Sequence, residues 1–451
     1  MKFIHRRILP IVAVFFLSTI GLAQTLSLDD CIRIAVTQNP QVLASQHDLS
    51  ASKNQRYQSI TALLPSAKFQ GTYTRLNEAP YTELDPSQIP FLPPGTSPMR
   101  IEMGKDEMEQ LELQIVEPVS PQLWTALGLA NTGVKQKKLN LKKTELNTAL
   151  GAVKAYYQFL QAKGFVKIAT ASKQQIDAHI QDLQNMFEQG IIHKKDLLKA
   201  KVQQSEVELL VLQAQHSVEL ARHGLCLALG FPQDSAIDVA ESLTFAEYSA
   251  PLDSVLYWTQ QNSVDAKLLD IGVEAAKKQK TLAIEGLFPS FSAIFNYDYK
   301  KPNQQLENEW YDSWTAVGAI QWNIFDWGGN IAKIKQAHNQ KRQMEYIRKS
   351  ALQGIELQAR ASFLSLDEKK RKVEIARSEV ETAEENFKVT DDMFHAGVAT
   401  NAELLDAQSD LTRAKINLNN YLADYNITKF QLEFLTGELD KKIETILKSE
   451  R

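Results

Sequence analysis

The sequence predicts a membrane-associated α+β chain made of two similar halves, each setting a pair of strands among very long helices. Three observations carry this reading. First, a phrase is written twice: "LLPSAKFQGTYTRL" begins at Leu63 and "LFPSFSAIFNYDYK" at Leu287, and in each a Leu-x-Pro-Ser ends a helix-like stretch and opens an alternating apolar and polar segment. Second, the fifteen prolines leave long gaps, with none between Pro121 and Pro232 and none after Pro302. Third, the chain carries an export signal but no later run of about 20 apolar residues, so strands are its only means of crossing a bilayer.

The elements follow in order. Lys2, Arg6 and Arg7, the apolar stretch Ile8 to Ile20 and the small residues Gly21-Leu22-Ala23 form a secretory signal peptide over 1–23, with cleavage expected after Ala23. The whole chain has a formal net charge of −4, and cleavage removes three basic residues. A mildly acidic exported chain is a poor nucleic-acid binder. Cys31 and Cys226 are the only cysteines, which excludes a C-x-x-C site and leaves two buried thiols or one disulfide.

Each half then reads helix, two strands, long helix, glycine turn, shorter helix. The first repeat spans 24–235 and the second 252–451, with a linker over 236–251. Opening helices are expected over about Leu28 to Leu64 and Leu252 to Phe288, roughly 55 Å each. The first pair of strands falls at about 66–76 and 108–117, the second at about 290–300 and 310–323. Proline-free stretches rich in Ala, Leu, Gln, Lys and Glu predict long helices over about 120–187 and 326–393, roughly 100 Å each. Closing helices follow over about 191–230 and 398–437, each ending in glycine, and together the lengths propose a tall, layered helical body.

One heptad seam fits both closing helices. In the first it runs Leu197, Ala200, Gln204, Val207, Val211, Ala214, Val218, Ala221, Leu225 and Ala228; in the second, Leu404, Ala407, Leu411, Ala414, Leu418, Tyr421, Tyr425, Thr428, Leu432 and Leu435, with Gln204 and Thr428 as polar exceptions.

The strands alternate cleanly. Phe69 and Tyr73 oppose Lys68, Gln70 and Thr72; Phe295, Tyr297 and Tyr299 oppose Asn296 and Asp298; Trp314 and Trp322 lie on one face, about 27 Å apart along a strand. That spacing suits the two aromatic girdles of an outer-membrane barrel, with Tyr73, Tyr297, Tyr299, Trp314 and Trp322 as girdle residues. The alternative is a soluble sheet edge with one wet face. Mid-strand charge on the polar face, aromatics on the other and export without a membrane helix favour membrane strands. Four strands cannot close a barrel, and an open edge cannot persist in lipid, so several copies must share one barrel.

Catalytic signatures are missing: there is no H-E-x-x-H, G-x-S-x-G, Walker loop or G-x-G-x-x-G, and the eight histidines show no ligand spacing. His193, beside a turn, reads as a solvated side chain. No enzyme activity and no cofactor are expected.

The helix–hairpin–helix halves, the turns "FEQGIIHKKDLLKA" around Gly190 and "FHAGVATNAELLDA" around Gly397, the terminal "LEFLTG" and the segment "WNIFDWGG" are similar to the TolC family of outer-membrane efflux proteins. The resemblance runs almost the length of the mature chain. It implies a homotrimer with a twelve-stranded β-barrel in outer-membrane lipid, four strands per protomer, continued by a long periplasmic α-helical coiled-coil barrel, with 236–251 in its equatorial region. It further implies a passive exit duct coupled through a periplasmic adaptor to an inner-membrane transporter, with type I protein secretion as the neighbouring possibility. A non-pore coiled-coil structural protein is the reading from another class.

The resemblance also gives roles to residues. Gly190, Ile191 and Ile192, with Gly397, Val398, Ala399 and Thr400, would be adaptor-docking tips. Glu403 and Asp406, with Asp196 and Phe394, would line the periplasmic entrance, where threefold symmetry gathers six carboxylates into one ring and repulsion would push some above the usual carboxylate range. The ordinary reading of Glu403 and Asp406, one turn apart on a helix, is a solvated face. The first turn offers Asp196 and Lys199 at the matching positions. Where the family pattern has a tyrosine and an arginine locking the entrance, this sequence has Phe394 and Ala399. The proline-rich connection Asn77 to Lys105 and the short "PNQQLENE" are expected as outward-facing hairpin loops.

Overall fold

The computed structural model describes residues 24–85, 97–239, 242–304 and 306–448. The expected signal peptide lies outside the described residues, as does the middle of the proline-rich loop with Pro93.

In chain order the elements are β1 (Gln24–Leu26), α1 (Leu28–Gln38), α2 (Pro40–Thr61), β2 (Ser66–Arg75), β3 (Tyr81–Leu84), β4 (Met99–Glu102), β5 (Glu107–Val119), α3 (Pro121–Glu188), α4 (Lys194–Leu229), β6 (Ile237–Val239), α5 (Leu252–Asn262), α6 (Val264–Glu285), β7 (Ser290–Lys301), β8 (Tyr311–Gln321), α7 (Gly329–His395), α8 (Asn401–Thr436) and α9 (Glu438–Lys448). The chain divides into two compact units. One comprises the N-terminal segment to Leu43, Thr144–Ser263 and Glu356 onward; the other comprises Ala44–Lys143 and Val264–Ile355.

The second unit holds a four-stranded antiparallel sheet in the order β2-β5-β7-β8. Pairing carries each row across all four strands. Phe69, Leu113, Tyr297 and Trp314 form one row, and Ala67, Ile115, Phe295 and Ala316 the next on the same face. The opposite face carries Lys68, Gln114, Asn296 and Thr315, then Gln70, Glu112, Asp298 and Ser313. Through these central rows the register keeps aromatic and polar side chains on opposite faces, as a period of two demands, while towards the strand ends Glu109, Glu117 and Asp312 fall on the aromatic face. The aromatic face is bare: Phe69, Tyr73, Trp314 and Ile320 are each at least 60% exposed in the single chain. Phe295 stacks on Trp314 and Tyr299 on Trp310.

β8 stops at Gln321, so Trp322 lies one residue past the strand rather than on it. Its indole N–H donates to the carbonyl of Leu287, and Asp326 then caps α7 by accepting from the Asn330 amide. These two bonds take the chain out of the ladder. The proline-rich connection is itself partly paired, β3 with β4.

α3 starts with Ser120 accepting from the Gln122 amide and Pro121 in the first helical position, where its missing N–H costs nothing. It then runs 68 residues without another proline.

The expected continuous opening helices are corrected: each is broken, at Asn39 between α1 and α2 and at Ser263 between α5 and α6. Pro40 explains the first break, since it lacks an N–H and forces Asn39 into an extended conformation (φ −63°, ψ 130°). The second break has no proline. What the two share is an asparagine turned onto the end of a closing helix: Asn39 Nδ2 donates to Ala228 O and Asn262 Nδ2 to Thr436 O, each at 3.0 Å. The helix is interrupted where its side chain and backbone serve a neighbour.

The first unit contains three further features. β1 pairs in parallel with β6. The 242–250 segment is held by α8, with Asn426 donating to Thr244 O and the Tyr248 amide donating to the Tyr425 hydroxyl. Arg377 lies over the Phe245 ring. The heptad seam of α8 is buried at Leu404, Ala407, Leu411, Ala414, Leu432 and Leu435. The polar exceptions of both seams are satisfied: Gln204 on α4 donates to Asp177, and Thr428 on α8 accepts from Lys369.

Cys31 and Cys226 are fully buried thiols on α1 and α4, two helices in contact, and no disulfide joins them. Burial pushes the Cys226 thiol up. Both are expected to resist maleimide in the folded protein and to label once unfolded, as intact-mass measurement would show; labelling of Cys226 in the native state would contradict its burial.

Candidate functional site

The two glycine turns are built alike. Gly190 and Gly397 both have φ +74°, a conformation that favours glycine. In the first, Gly190 N donates to Phe187 O and Ile191 N to Met186 O; in the second, Gly397 N donates to Phe394 O and Val398 N to Met393 O, all at 2.9 Å. This paired pattern ends a helix by satisfying its last carbonyls with the following amides. It leaves Ile191 and Val398 outermost, 66% and 69% exposed. Ile192 and Ala399 fold back against the core behind the turn.

The restarts differ. His193 precedes α4 with no side-chain cap, and Asp196 lies half-buried in the first turn. Thr400 caps α8 in a reciprocal box: its hydroxyl accepts from the Glu403 amide, and the Glu403 carboxylate accepts from the Thr400 amide at 2.7 Å and its hydroxyl at 2.8 Å. Those bonds hold the Glu403 carboxyl below the usual carboxylate range. Within one chain the shift is therefore opposite to the one expected from a charged ring. Glu403 and Asp406 are both exposed, beside the buried Leu404 and Ala407. Phe394 points inward, 8% exposed, into a core of Ile176, Leu183, Leu197, Leu404 and Leu405.

Sequence reasoning missed the polar links inside this core. His179 on α3 and Asn401 at the start of α8 are 8% and 7% exposed, and His179 Nε2 lies 2.7 Å from Asn401 Oδ1. Asn401 Nδ2 donates to the carbonyl of Asp196 at 3.0 Å, and the His179 ring meets Phe394 edge-on. On α3 the buried Ala169, Ile176 and Leu183 recur every seven residues with Ser172 and His179 between them, and that polar interruption was the available signal. Among the described residues no group of three or more His, Cys, Asp or Glu could hold a metal ion, and no helix is long and apolar enough to cross a membrane.

Comparison with known proteins agrees with this architecture. Residues 256–438 match the family model described as outer membrane efflux protein. The chain is 22% identical to Outer membrane protein TolC of Vibrio cholerae over 325 residues, covering 71% of this chain and 74% of that protein. It is also 22% identical to Alkaline protease secretion protein AprF of Pseudomonas aeruginosa over 324 residues, 70% of this chain and 66% of the relative. Among solved structures, the CmeC outer membrane channel of Campylobacter jejuni superposes with a TM-score of 0.77 at 12% identity, over 91% of this chain and 85% of its own. VceC of Vibrio cholerae gives 0.73 at 15% identity, over 91% and 96%.

Proposed function

Because this chain belongs to the TolC family of outer-membrane efflux proteins, we propose that three copies close one twelve-stranded barrel and form the exit duct of a tripartite efflux system. It is an outer-membrane efflux channel that extends into the periplasm. The observation that carries the finer reading is the sheet order. β2 and β8 are the edges of a four-stranded sheet, and edge amides and carbonyls left open in lipid would cost several kcal/mol each. Along β2-β5-β7-β8 every neighbour is antiparallel, so β8 of one copy meets β2 of the next antiparallel as well, and the ring closes without a parallel seam.

In this reading Gly190, Ile191 and Ile192 with Gly397, Val398, Ala399 and Thr400 are the docking tips for a periplasmic adaptor, which couples the duct to an inner-membrane pump. The exposed Ile191 and Val398 offer apolar contacts there. Glu403 and Asp406, with Asp196, set the charge of the entrance, and Phe394 shapes it by packing. Tyr73, Tyr297, Tyr299, Trp314 and Trp322 mark the lipid interfaces. Similarity to a protein named for alkaline protease secretion favours a second reading, a duct for exported protein.

The entrance is tested by removing charge while keeping the cap. Glu403→Gln retains the reciprocal box, because glutamine also accepts at that position; Asp406→Asn neutralises its neighbour. The double variant is expected to assemble normally and to lose most cation selectivity and divalent-cation block in planar bilayers. Unchanged selectivity would return both acids to a solvated face.

A further inference from the structure

The link between the two turns fixes the state of its histidine. Asn401 Nδ2 donates to a backbone carbonyl, which can only accept, so the asparagine atom facing His179 is its oxygen. His179 Nε2 must therefore carry the hydrogen. The bond joins α3 to α8, and the Asn401 amide continues it to α4, so three helices from both halves of the chain meet at one buried asparagine. Phe394 on α7 covers the imidazole edge.

We propose that His179 and Asn401 are positioning residues of the periplasmic entrance, a clasp that registers the two turns at neutral pH and loosens in acid. This rests on reading the turns as the entrance. An amide reaching a backbone carbonyl needs no charged partner, which suits a core walled by Leu183, Leu197 and Leu404.

The charged groups facing His179 come from several elements: Asp182 on α3, and Asp391 and His395 on α7. α4 presents the Asp196 carbonyl and α8 the Asn401 amide. The two aspartates and the Asn401 bond favour an imidazolium, His395 disfavours it, and burial is the largest influence, holding His179 below the usual imidazole range. A group depressed in this way contributes stability above its unfolded value of about 6.5 and loses it as pH falls through the lower folded value. Protonation keeps the Nε2–H donor but places a charge among apolar side chains. Acid therefore loosens the apolar packing around the clasp, while the hydrogen bond itself keeps its donor.

The test uses the full-length protein in detergent and in planar bilayers, at about pH 7.5 and about pH 5, either side of the ordinary imidazole value. Amide hydrogen exchange of peptides covering 183–200 and 394–408 reads the clasp, and single-channel conductance reads the entrance. Once corrected for the slower intrinsic exchange of amides in acid, wild type should show several-fold lower protection and a higher conductance at the acid value. His179→Gln, whose amide reaches the Nε2 position and can donate to Asn401 but cannot titrate, should match wild type at neutral pH and lose the acid response; His179→Asn, too short to reach Asn401, should behave like Asn401→Ser. Asn401→Ser should raise exchange and conductance at both values. An acid response that survives in His179→Gln overturns the proposal, as does unchanged exchange in Asn401→Ser. If the charge-neutral Glu403→Gln/Asp406→Asn channel loses divalent block while the clasp variants conduct like wild type, the entrance reading stands and the clasp falls. If neither pair alters conduction, the entrance reading itself fails.

Discussion

Gly437→Ala is expected to destabilise the protein by about 2–5 kcal/mol, whereas Gly397→Ala should cost only about 1–2 kcal/mol. The backbones are nearly the same, with φ +78° at Gly437 and +74° at Gly397, so both changes carry the left-handed cost of a side chain. What differs is the surroundings. A Cβ at Gly437 would lie 2.6 Å from Cβ of Asn262, whereas at Gly397 nothing lies within 4 Å. Asn262 cannot withdraw freely, because its amide donates to Thr436 O at the end of the same helix. Gly230 repeats the arrangement in the first half, where an added Cβ would meet Pro40 Cδ at 2.9 Å and Asn39 Cα at 3.1 Å. Denaturant midpoints of the detergent-purified variants measure the difference. Equal losses at 397 and 437 would show that conformation alone governs these glycines and that docking of the helix break against the cap contributes nothing.

That pair also shows what could be read in advance. Gly230 and Gly437 are legible as helix ends, because the heptad seam stops there and glycine is the residue that permits the left-handed turn. The contact each makes with a broken opening helix is not legible. Asn39-Pro40 could have signalled the first break, but nothing local distinguishes Asn262-Ser263 from a helix interior, since the bond that holds it belongs to a carbonyl 174 residues away. The strands were readable to within two residues because alternation with a period of two is a local signal. Trp322 was placed one residue too far along for the complementary reason: it continues the alternation of β8, and its indole bond to Leu287, with the Asp326 cap of α7, takes the chain out of the ladder.

The candidate site divides in the same way. The glycine turns and the acids after them lie in repeated motifs, so they were visible by comparing the two halves. His179 and Asn401 have no such marking. Gly190 with its following seven residues gives no counterpart of the Thr400 cap, so the two turns look equivalent in outline while only the second is tied by a reciprocal box. Tertiary bonds between elements far apart in sequence leave no local period to find.

Arginine placed at 316 and at 315 should have opposite consequences, although the two residues are adjacent. Ala316 belongs to the row Ala67, Ile115, Phe295 and Ala316, midway along the aromatic face, with Trp314 and Ile320 exposed on either side. If that face meets lipid, Ala316→Arg puts a charge inside the apolar band between the Trp314 and Trp322 girdles, at a cost of up to about 2–4 kcal/mol. In a trimer the change occurs three times around one barrel, so the expected outcome is loss of heat-resistant oligomer and little protein in the outer-membrane fraction. Thr315 lies on the other face, in the row Lys68, Gln114, Asn296 and Thr315, where charge is already present. Thr315→Arg should assemble as wild type and lower cation conductance by adding positive charge to the lumen. Gel mobility with and without heating, followed by planar-bilayer recording of whatever assembles, separates the two. Normal assembly of Ala316→Arg together with failure of Thr315→Arg would turn the sheet inside out; normal assembly of both would remove the aromatic face from the membrane altogether.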